Sequence, residues 1–382
     1  MAEHTYVLVG TRKGAWILRS NATRSRWTLQ GPLHLGSTVY HFVADPRNPE
    51  HFLIALRNSR QGHSIFHSHD LGKSWTPANS VPAFIGVDPV SGQASRSVNH
   101  VFWLSPGHSS QPGVWYAGCS PQGLFRSDDD GYQWQEVTGL NHHPEFLQWC
   151  GGADDNGANG PTLHSIIVDN INPAHLLIGM SSGGIFESWD EGATWSPLNQ
   201  GVAIDFFPPP TDGNEYLYGH DPHCVVMHPL ENTRLYQQNH SGIYRLDRHL
   251  SDRWLRIGTN MPAEIGDNGF PMVVHPRHID TAWVFPMDGS AAWSRTSPEG
   301  RPAVYQTRDA GSSWERQDSG FPEKQAWWTV LRQAMCSDRN DPVGLYLGTT
   351  NGEVWASFDE GGHWRGLTMN LPQVCSLSAV TV

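Results

Sequence analysis

The sequence is short of cysteine, of positive charge and of long apolar runs, and each shortage argues against a class of protein. Its five cysteines form an odd set without a CxxC pair, which argues against a disulfide framework in a chain of 382 residues. Lys and Arg (25) are outnumbered by Asp and Glu (37), so no nucleic-acid partner is expected, because phosphates are neutralised by basic groups. No run approaches the ~18 apolar residues of a membrane span, so no membrane partner is expected.

Helical periodicity and a signal peptide are missing as well. The first residues lack a basic segment followed by a long apolar one; with the cysteine usage this predicts a cytoplasmic protein. Short apolar runs are broken by Gly, Asn, Asp and Pro, and glycine (39) and proline (27) are abundant. This composition predicts an all-β protein rich in turns.

The most informative feature present is a motif, Ser/Thr-x-Asp-x-Gly-x-x-Trp, that occurs five times. Its copies are Ser68–Trp75, Ser127–Trp134, Ser188–Trp195, Thr307–Trp314 and Ser357–Trp364. Two degenerate copies end at Trp27 and Trp254, so the motif tryptophans recur every 48 to 61 residues. A fixed period of this length indicates a repeat architecture. In such a turn the Asp side chain accepts backbone N–H groups, the Gly takes a positive φ and the Trp packs between sheets.

Each repeat contains four short strand patterns, and the third shows them most clearly. They are Leu163–Val168, Leu176–Gly179, Gly184–Glu187 and Trp195–Leu198. Four strands in about 50 residues, repeated radially, predict a propeller blade. We therefore predict one domain, residues 1–382, folded as a seven-bladed β-propeller. Because the first repeat lacks its inner strand, Val374–Val382 is predicted to supply it and to close the ring.

The repeated motif resembles the Asp-box of the BNR repeat proteins. That superfamily includes sialidases, xyloglucan-degrading glycosidases, sortilin-type receptors and a photosystem assembly factor. The resemblance implies the propeller fold, with the motif on the face away from the usual active site, but it does not imply a reaction. A sialidase would carry an arginine in a Phe/Tyr-Arg-Ile-Pro context, whereas Arg12 stands in Gly-Thr-Arg-Lys-Gly. Sialidase activity is therefore not expected.

Histidines recur at one position of the predicted inner strands. Counting back five residues from the turn that ends each strand gives Tyr40, His100, His164, His223, Phe270 and Gln333. The starts of inner strands converge at the axial mouth of a closed propeller, so we expect His100, His164 and His223 to share one metal ion. His240, in a turn predicted to open onto the same face, is a fourth candidate ligand.

An imidazole-rich ligand set favours Zn²⁺, with Fe²⁺ or Cu²⁺ as the other candidates. Asp155 and Asp221 are the candidates for a proton shuttle or for a group that orients a ligand. A metal-free polar cluster and purely structural histidines stay open as alternatives. His228 and His275 stand in His-Pro turns and are expected to be structural.

Long connections flank the histidine positions. Residues 80–98, 138–163 and 199–222 are predicted to reach the face where the inner strands begin. Long segments in a compact fold are often binding loops, and solvated insertions are the alternative. The second connection would bring Trp149 to the mouth as a substrate contact.

Arginines are predicted on the arc of the axial mouth that lies opposite the histidines. Arg12, Arg57 and Arg332 would lie there, with Tyr40 beside them. Guanidinium groups bind carboxylates and phosphates through paired hydrogen bonds. The alternative is that all three arginines are ordinary ion-pair partners. A site with histidines on one side and arginines on the other predicts a small anionic substrate whose far end meets a metal.

These features predict a metal-dependent hydrolase or lyase that acts on a small anionic or carbohydrate-like molecule. Two alternatives stay open. One is a metal-free, sialidase-like glycoside hydrolase that uses carboxylates of the long connections; these are Asp154, Asp155, Asp205 and Asp267. The other is a propeller without catalysis that serves interaction or assembly.

Overall fold

The computed structural model describes residues 3–86, 96–150, 160–205, 208, 213–289 and 294–382. The regular secondary structure of these residues is almost entirely β-strand. Its helices are short: α1 (Thr138–Asn141), α2 (Phe146–Trp149) and two 3-10 turns, Gly258–Asn260 and Pro298–Gly300. None of the helices in these ranges is long and apolar enough to cross a membrane.

The strands are short and follow one another closely along the chain. In chain order they are β1 (Thr5–Thr11), β2 (Gly14–Ser20), β3 (Trp27–Leu33), β4 (Thr38–Asp45), β5 (Asn48–Asn58), β6 (Gly62–Ser68), β7 (Thr76–Pro77), β8 (His100–Pro106), β9 (Trp115–Ser120), β10 (Leu124–Ser127), β11 (Gln135–Glu136), β12 (Leu163–Val168), β13 (Leu176–Met180), β14 (Gly184–Ser188), β15 (Ser196–Pro197), β16 (Pro222–His228), β17 (Glu231–Asn239), β18 (Gly242–Asp247), β19 (Leu255–Arg256), β20 (Gly269–Val274), β21 (Ala282–Pro286), β22 (Val304–Thr307), β23 (Glu315–Gln317), β24 (Val330–Ser337), β25 (Leu345–Thr349), β26 (Val354–Ser357), β27 (Trp364–Thr368) and β28 (Val374–Thr381).

Consecutive strands pair antiparallel and form small sheets. Five sheets have four strands each: β4–β7, β8–β11, β12–β15, β16–β19 and β20–β23. A further sheet has eight strands in the order β27-β26-β25-β24-β28-β1-β2-β3. Its two halves are four-stranded antiparallel groups joined by one parallel bridge, between Gln333 and Ser376.

The first strand of each four-stranded group contacts the first strand of the next group. The series runs β28, β4, β8, β12, β16, β20, β24 and returns to β28. The C-terminal strand closes it, since β28 pairs antiparallel with β1 from Thr5–Thr381 to Thr11–Val374. The pairing predicted for the C-terminal segment is thus confirmed. Closure covers the inner edge of β1 along its length and adds one bridge to β24.

The repeated motif forms the turn between the third and fourth strands of a group. In the β12–β15 sheet, Ser188 Oγ donates to Asp190 Oδ1 (2.9 Å) and accepts from the Gly192 N–H (2.8 Å). Gly192 has φ +91°, a conformation that glycine adopts at no steric cost. Trp195 donates its indole N–H to the Gly192 carbonyl (2.9 Å) and packs between sheets. The motif therefore has a structural role.

Candidate active site

A cavity of about 190 Å³ lies where the first strands converge. Every first strand of the ring, or the residue just before it, contributes to its wall: Tyr40, Phe102, Thr162, His223, Phe270, Leu331, Arg332, Gln333 and Cys375. Segments that follow second strands supply a second set, namely Arg12, Ser181, His240 and Met287. The cavity is completed by Gly160, Asp221 and Arg295. It therefore lies on the axis of the ring.

One wall of the cavity carries three groups that are able to bind a metal ion together. One ligand atom each from Asp221, His223 and His240 lies within 4.8 Å of the other two. Asp221 Oδ2 is 3.5 Å from His223 Nε2 and 3.7 Å from His240 Nδ1. Tetrahedral coordination with bonds of ~2.1 Å places ligand atoms ~3.4 Å apart. The observed spacing fits one small cation.

Backbone packing fixes which nitrogen of His223 faces this group. His223 lies at the start of β16, and its Nδ1 is 2.6 Å from the carbonyl oxygen of Gly269 at the start of β20. Because a carbonyl only accepts, Nδ1 carries the proton and Nε2 presents a lone pair toward Asp221. Burial lowers the pKa of His223, which favours the neutral ring. Metal-binding histidines are commonly oriented in this way.

Asp221 lies between the two imidazoles. Burial by itself would raise the pKa of Asp221, but its interactions with His223 and His240 and the charge of Arg332 hold it well below its usual range. Its Oδ1 also accepts from the Ser182 N–H (3.4 Å). The group is therefore a carboxylate at neutral pH, which is the form that binds a cation.

Another part of the cavity wall is cationic and aromatic. The Arg332 guanidinium lies 5.8 Å from the ring centre of Phe102 and 6.0 Å from that of Phe270. Its Nη1 donates to Ser181 Oγ (3.3 Å), which in turn contacts Thr162 Oγ1 (3.0 Å). Packing on two ring faces limits the motion of the guanidinium and presents it to the cavity.

Arg12 and Tyr40 share this wall. Burial raises the pKa of Tyr40, and the guanidinium of Arg12 opposes that rise. The phenol therefore stays protonated at neutral pH and is able to donate a hydrogen bond. Arg57, the third predicted arginine, is exposed on β5 and does not line the cavity. Arg295 lines it instead.

His100 and His164 do not join the ligand group. Their rings are buried (2% and 0% exposed), with Nδ1 bonded to Asn99 Oδ1 (3.0 Å) and Ser165 Oγ (2.8 Å), respectively. Phe102 lies between them, at 6.1 Å from His100 and 6.5 Å from His164 between ring centres. His100 also stacks on Tyr40 (3.8 Å). Of the three strand histidines that were expected to share one ion, only His223 belongs to the candidate ligand group, together with Asp221 and His240.

The position of an irregularity in each first strand explains this difference. The register shift brackets His223 in β16 (Pro222/Cys224) and Phe102 in β8 (Val101/Trp103), whereas in β12 it follows His164, where Ser165 has φ +51°. An extra residue in one strand rotates the following side chains to the other face of a sheet. A count of residues along the sequence does not reveal such a shift.

The structure does not place Trp149 at the mouth, where it was expected to contact the substrate. Residues 138–149 include α1 and α2, which pack against the sheets, and Trp149 is 1% exposed. Its ring stacks on Phe186 (4.5 Å) and His143 (4.0 Å). It belongs to the hydrophobic core and does not line the cavity.

The carboxylates predicted on the long connections divide into two groups. Asp154 and Asp155 lie outside the described residues, so their roles stay predictions. Asp267 binds Arg256 through two hydrogen bonds (2.9 and 3.0 Å) and does not line the cavity, nor does Asp205. Among the described carboxylates of the cavity wall, Asp221 is the one beside the histidines.

The two histidines predicted to be structural do shape turns. His275 Nδ1 accepts from the backbone N–H groups of Arg277 and His278, each at 2.9 Å. His228 Nδ1 accepts from the Leu230 N–H (3.3 Å). In each ring Nδ1 is engaged by the turn that follows the strand, which supports the structural interpretation.

Several lining residues were not predicted from the sequence. Ser181 and Met287 directly follow second strands, and aligning those turns across repeats, as was done for His240, would have found them. Phe102 was missed because of the β8 register shift. Arg295 lies on the connection between β21 and β22, where no repeat position predicts it.

Comparisons with known proteins show the fold. No family model and no curated protein matches the chain. Among solved structures it is similar to a GH74 xyloglucanase from Xanthomonas campestris (TM-score 0.59, 16% identity, 94% of this chain and 52% of the other). A GH74 enzyme of Niastella koreensis is also similar (0.52, 13%, 96% and 65%), as is a proposed 6-phosphogluconolactonase of Bacteroides fragilis (0.53, 12%, 99% and 98%).

These similar proteins are β-propellers, and the likeness shows that the chain has a β-propeller fold. The chain spans about half the length of the xyloglucanase. It spans nearly the whole of the Bacteroides fragilis protein. Identities of 12–16% establish architecture and no activity.

Proposed function

We propose that this chain is a seven-bladed propeller enzyme: a metal-dependent hydrolase or lyase acting on a small anionic, carbohydrate-like molecule in the axial cavity. The blade count treats the eight-stranded sheet as two blades beside the five four-stranded sheets. The single domain of residues 1–382 is part of the same proposal, and so is membership of the Asp-box repeat superfamily.

The observation that carries the proposal is the group Asp221, His223 and His240 in the wall of the cavity. Two imidazoles and one carboxylate leave at least one coordination position for water or substrate. This donor set suits Zn²⁺, and Fe²⁺ is its main competitor. When bound, such an ion polarises a carbonyl and lowers the pKa of a coordinated water.

The protein's own groups would bind and orient the substrate. Arg332 and Arg12 line the same cavity as the ligand group and would hold a carboxylate or phosphate through paired hydrogen bonds. The Tyr40 hydroxyl would donate to an oxygen of the same molecule. Phe102, Phe270 and the other apolar lining groups would exclude water and strengthen these interactions.

Cavity size and charge narrow the substrate class. A volume of about 190 Å³ is below the ~300–1,000 Å³ of pockets that hold drug-sized ligands. A polymer would need an open groove, so a single sugar unit fits better. The similar structures include a xyloglucanase and a proposed sugar lactonase. We therefore place a sugar lactone or sugar acid with an anionic group first among substrates.

A metal-free version of the reaction is the second candidate. Asp221 contacts both imidazoles, and a carboxylate–imidazole pair is able to act as a general base on water. In this version the same three residues would activate water without an ion. The two versions differ in a measurable way, namely the metal content of the active protein.

Elemental analysis with activity measurement tests the proposal. Protein purified without chelator is expected to hold about one equivalent of Zn²⁺ or Fe²⁺ at this site and to hydrolyse at least one member of a panel of sugar lactones. Asp221→Asn and His223→Gln are expected to lose that metal and at least ~100-fold in kcat, because several kcal/mol of charge stabilisation disappears.

His249→Gln is the matched control. His249 is 67% exposed and pairs only with Glu231 (3.5 Å) among its described ion-pair partners, so its variant should keep metal and activity. Full activity after complete metal removal would select the metal-free version. Inactivity of the metal-loaded wild type on all lactones and sugar acids would overturn the enzyme proposal.

A further inference from the structure

Two sheets carry the same constellation of residues with different chemistry. Each sheet has an Asp at the end of its first strand or just after it, and a His six residues later. A titratable residue stands directly before the motif Ser, and an aromatic or imidazole ring stands directly after it. In the β12–β15 sheet these are Asp169, His175, Glu187 and Trp189; in the β4–β7 sheet they are Asp45, His51, His67 and His69.

In the β12–β15 sheet the constellation is closed. His175 Nδ1 is 2.7 Å from Asp169 Oδ2, and its Nε2 is 2.8 Å from Glu187 Oε1. Trp189 stacks on the imidazole (3.7 Å between ring centres). Both ring nitrogens therefore have a direct hydrogen-bond partner, and no space is left for a ligand between the His and the Asp.

In the β4–β7 sheet the equivalent pair is open. His51 Nε2 contacts His67 Nδ1 (3.3 Å) and His69 stacks on the ring (4.1 Å), but His51 Nδ1 is 4.0 Å from Asp45 Oδ2. That distance is too long for a hydrogen bond. Asp130, from the motif turn of the neighbouring sheet, also faces this gap. The ligand atoms of Asp45, His51 and Asp130 all lie within 4.8 Å of one another.

We propose that Asp45, His51 and Asp130 form a second divalent-cation site, separate from the axial cavity, which joins two adjacent sheets. One imidazole and two carboxylates are ligands suited to Zn²⁺. The ion would replace the direct Asp–His hydrogen bond of the β12–β15 sheet. It would also tie β4 and β5 to the turn after β10.

The surroundings prepare His51 for this role. Burial, with the neighbouring His69, lowers the pKa of His51 to about 4, so the ring is neutral at physiological pH. In the tautomer that donates Nε2–H to His67 Nδ1, the Nδ1 lone pair of His51 faces the two carboxylates. A histidine whose other nitrogen is held by a hydrogen bond is the usual form of a metal ligand.

Arg47 fixes the Asp45 carboxylate. Its Nε and Nη2 donate to Asp45 Oδ1 (2.8 Å) and Oδ2 (3.0 Å), while Nη1 donates to two backbone carbonyls. Oδ1 also accepts from the Arg47 backbone N–H (2.8 Å), so Oδ2, the oxygen that faces His51, is the one with a further lone pair for an ion. Asp45, Asp130 and Arg47 together carry a net charge of about −1, which a cation would offset. The 4.0 Å between His51 Nδ1 and Asp45 Oδ2 exceeds the ~3.4 Å ligand spacing of a tetrahedral site, so binding requires the ligand groups to approach one another by less than about 1 Å.

The test uses the full chain with the axial site removed by Asp221→Asn. After chelation, Zn²⁺ alone is titrated by calorimetry and its effect on the melting temperature is recorded. We expect one equivalent to bind and to raise the melting temperature, because an ion that binds only the folded chain stabilises it. Adding Asp130→Asn should weaken binding at least ~10-fold and abolish the rise. Asp130 has φ +61°, which Asn also tolerates, so this variant should fold.

Glu191→Gln is the matched control. Glu191 occupies the same motif position in the next sheet, with φ +57°, and pairs with Arg126 (2.7 Å). Its variant should bind Zn²⁺ as the Asp221→Asn protein does. Equal Zn²⁺ affinity with and without Asp130→Asn, or no binding at 100 µM Zn²⁺ (about −5.5 kcal/mol at this Kd), would overturn the proposal. Because Asp221 is replaced throughout, failure of the proposed enzyme function does not affect this result.

Discussion

At the residue scale, the role of each histidine depends on what its two ring nitrogens contact. His223 donates from Nδ1 to a carbonyl and keeps a lone pair for the cavity. His275 accepts two backbone N–H groups and serves a turn. His175 lies between two carboxylates and leaves no open nitrogen. The sequence supplies the same residue type in all three places, and neighbouring elements assign the role.

Trp149 provides a test at this scale. Because its ring is buried against Phe186, Trp149→Ala should lower the free energy of unfolding by about 3–5 kcal/mol through lost burial and a cavity. Urea denaturation measures this loss. Trp327→Ala, at a side chain 49% exposed, is the control and should cost about 1 kcal/mol or less. A Trp149→Ala protein of unchanged stability with weakened ligand binding would instead support the substrate-contact role.

At the element scale, local spacing predicts the strands well and their irregularities poorly. The patterns Leu163–Val168, Leu176–Gly179 and Gly184–Glu187 correspond within one residue to β12, β13 and β14. Alternating apolar side chains and turn residues contain that information. The register shift after His164 depends on packing against neighbouring strands, so the sequence pattern does not predict it.

The motif turn of the β12–β15 sheet allows a prediction about stability. Ser188→Ala removes the hydroxyl that accepts the buried Gly192 N–H, so stability should fall by about 1–3 kcal/mol. The free energy of unfolding from urea titration checks this, with the exposed Ser196→Ala as control. Equal stability of the two variants would contradict a structural role for the motif serine.

At the scale of the whole molecule, stability depends on closing the ring. Deleting residues 374–382 removes β28, which pairs with β1 and bridges to β24. Its group would then have three strands with the inner edge of β1 exposed, and exposed edges aggregate. We expect the truncated chain to lose cooperative unfolding and to elute as aggregates on size exclusion. A chain lacking only residues 1–3 is the control; a monomeric, cooperatively unfolding truncation would contradict closure by β28.

Acid should destabilise the whole molecule through its turn carboxylates. A hydrogen bond from Ser313 lowers the pKa of Asp309; at Asp169, bonds from His175 and backbone groups outweigh the opposing effect of burial. The unfolded chain then binds protons at higher pH than the folded one, so the stabilisation is present above about pH 4 and is lost as pH falls through the folded-state pKa values. The urea midpoint at pH 3 should therefore be lower than that at pH 7; equal midpoints would contradict this prediction.

The sequence by itself determined the repeat, the motif turn and the segment that closes the ring, because these depend on residues close together within one repeat or on a strand that one repeat lacks. Tertiary structure decided the sites, because their members come from different repeats. Bulges and packing between sheets turn His100 and His164 into the interior and bring His223, His240 and Asp221 to one wall. These distances are set by contacts among distant segments, and residue spacing along one strand carries no record of them.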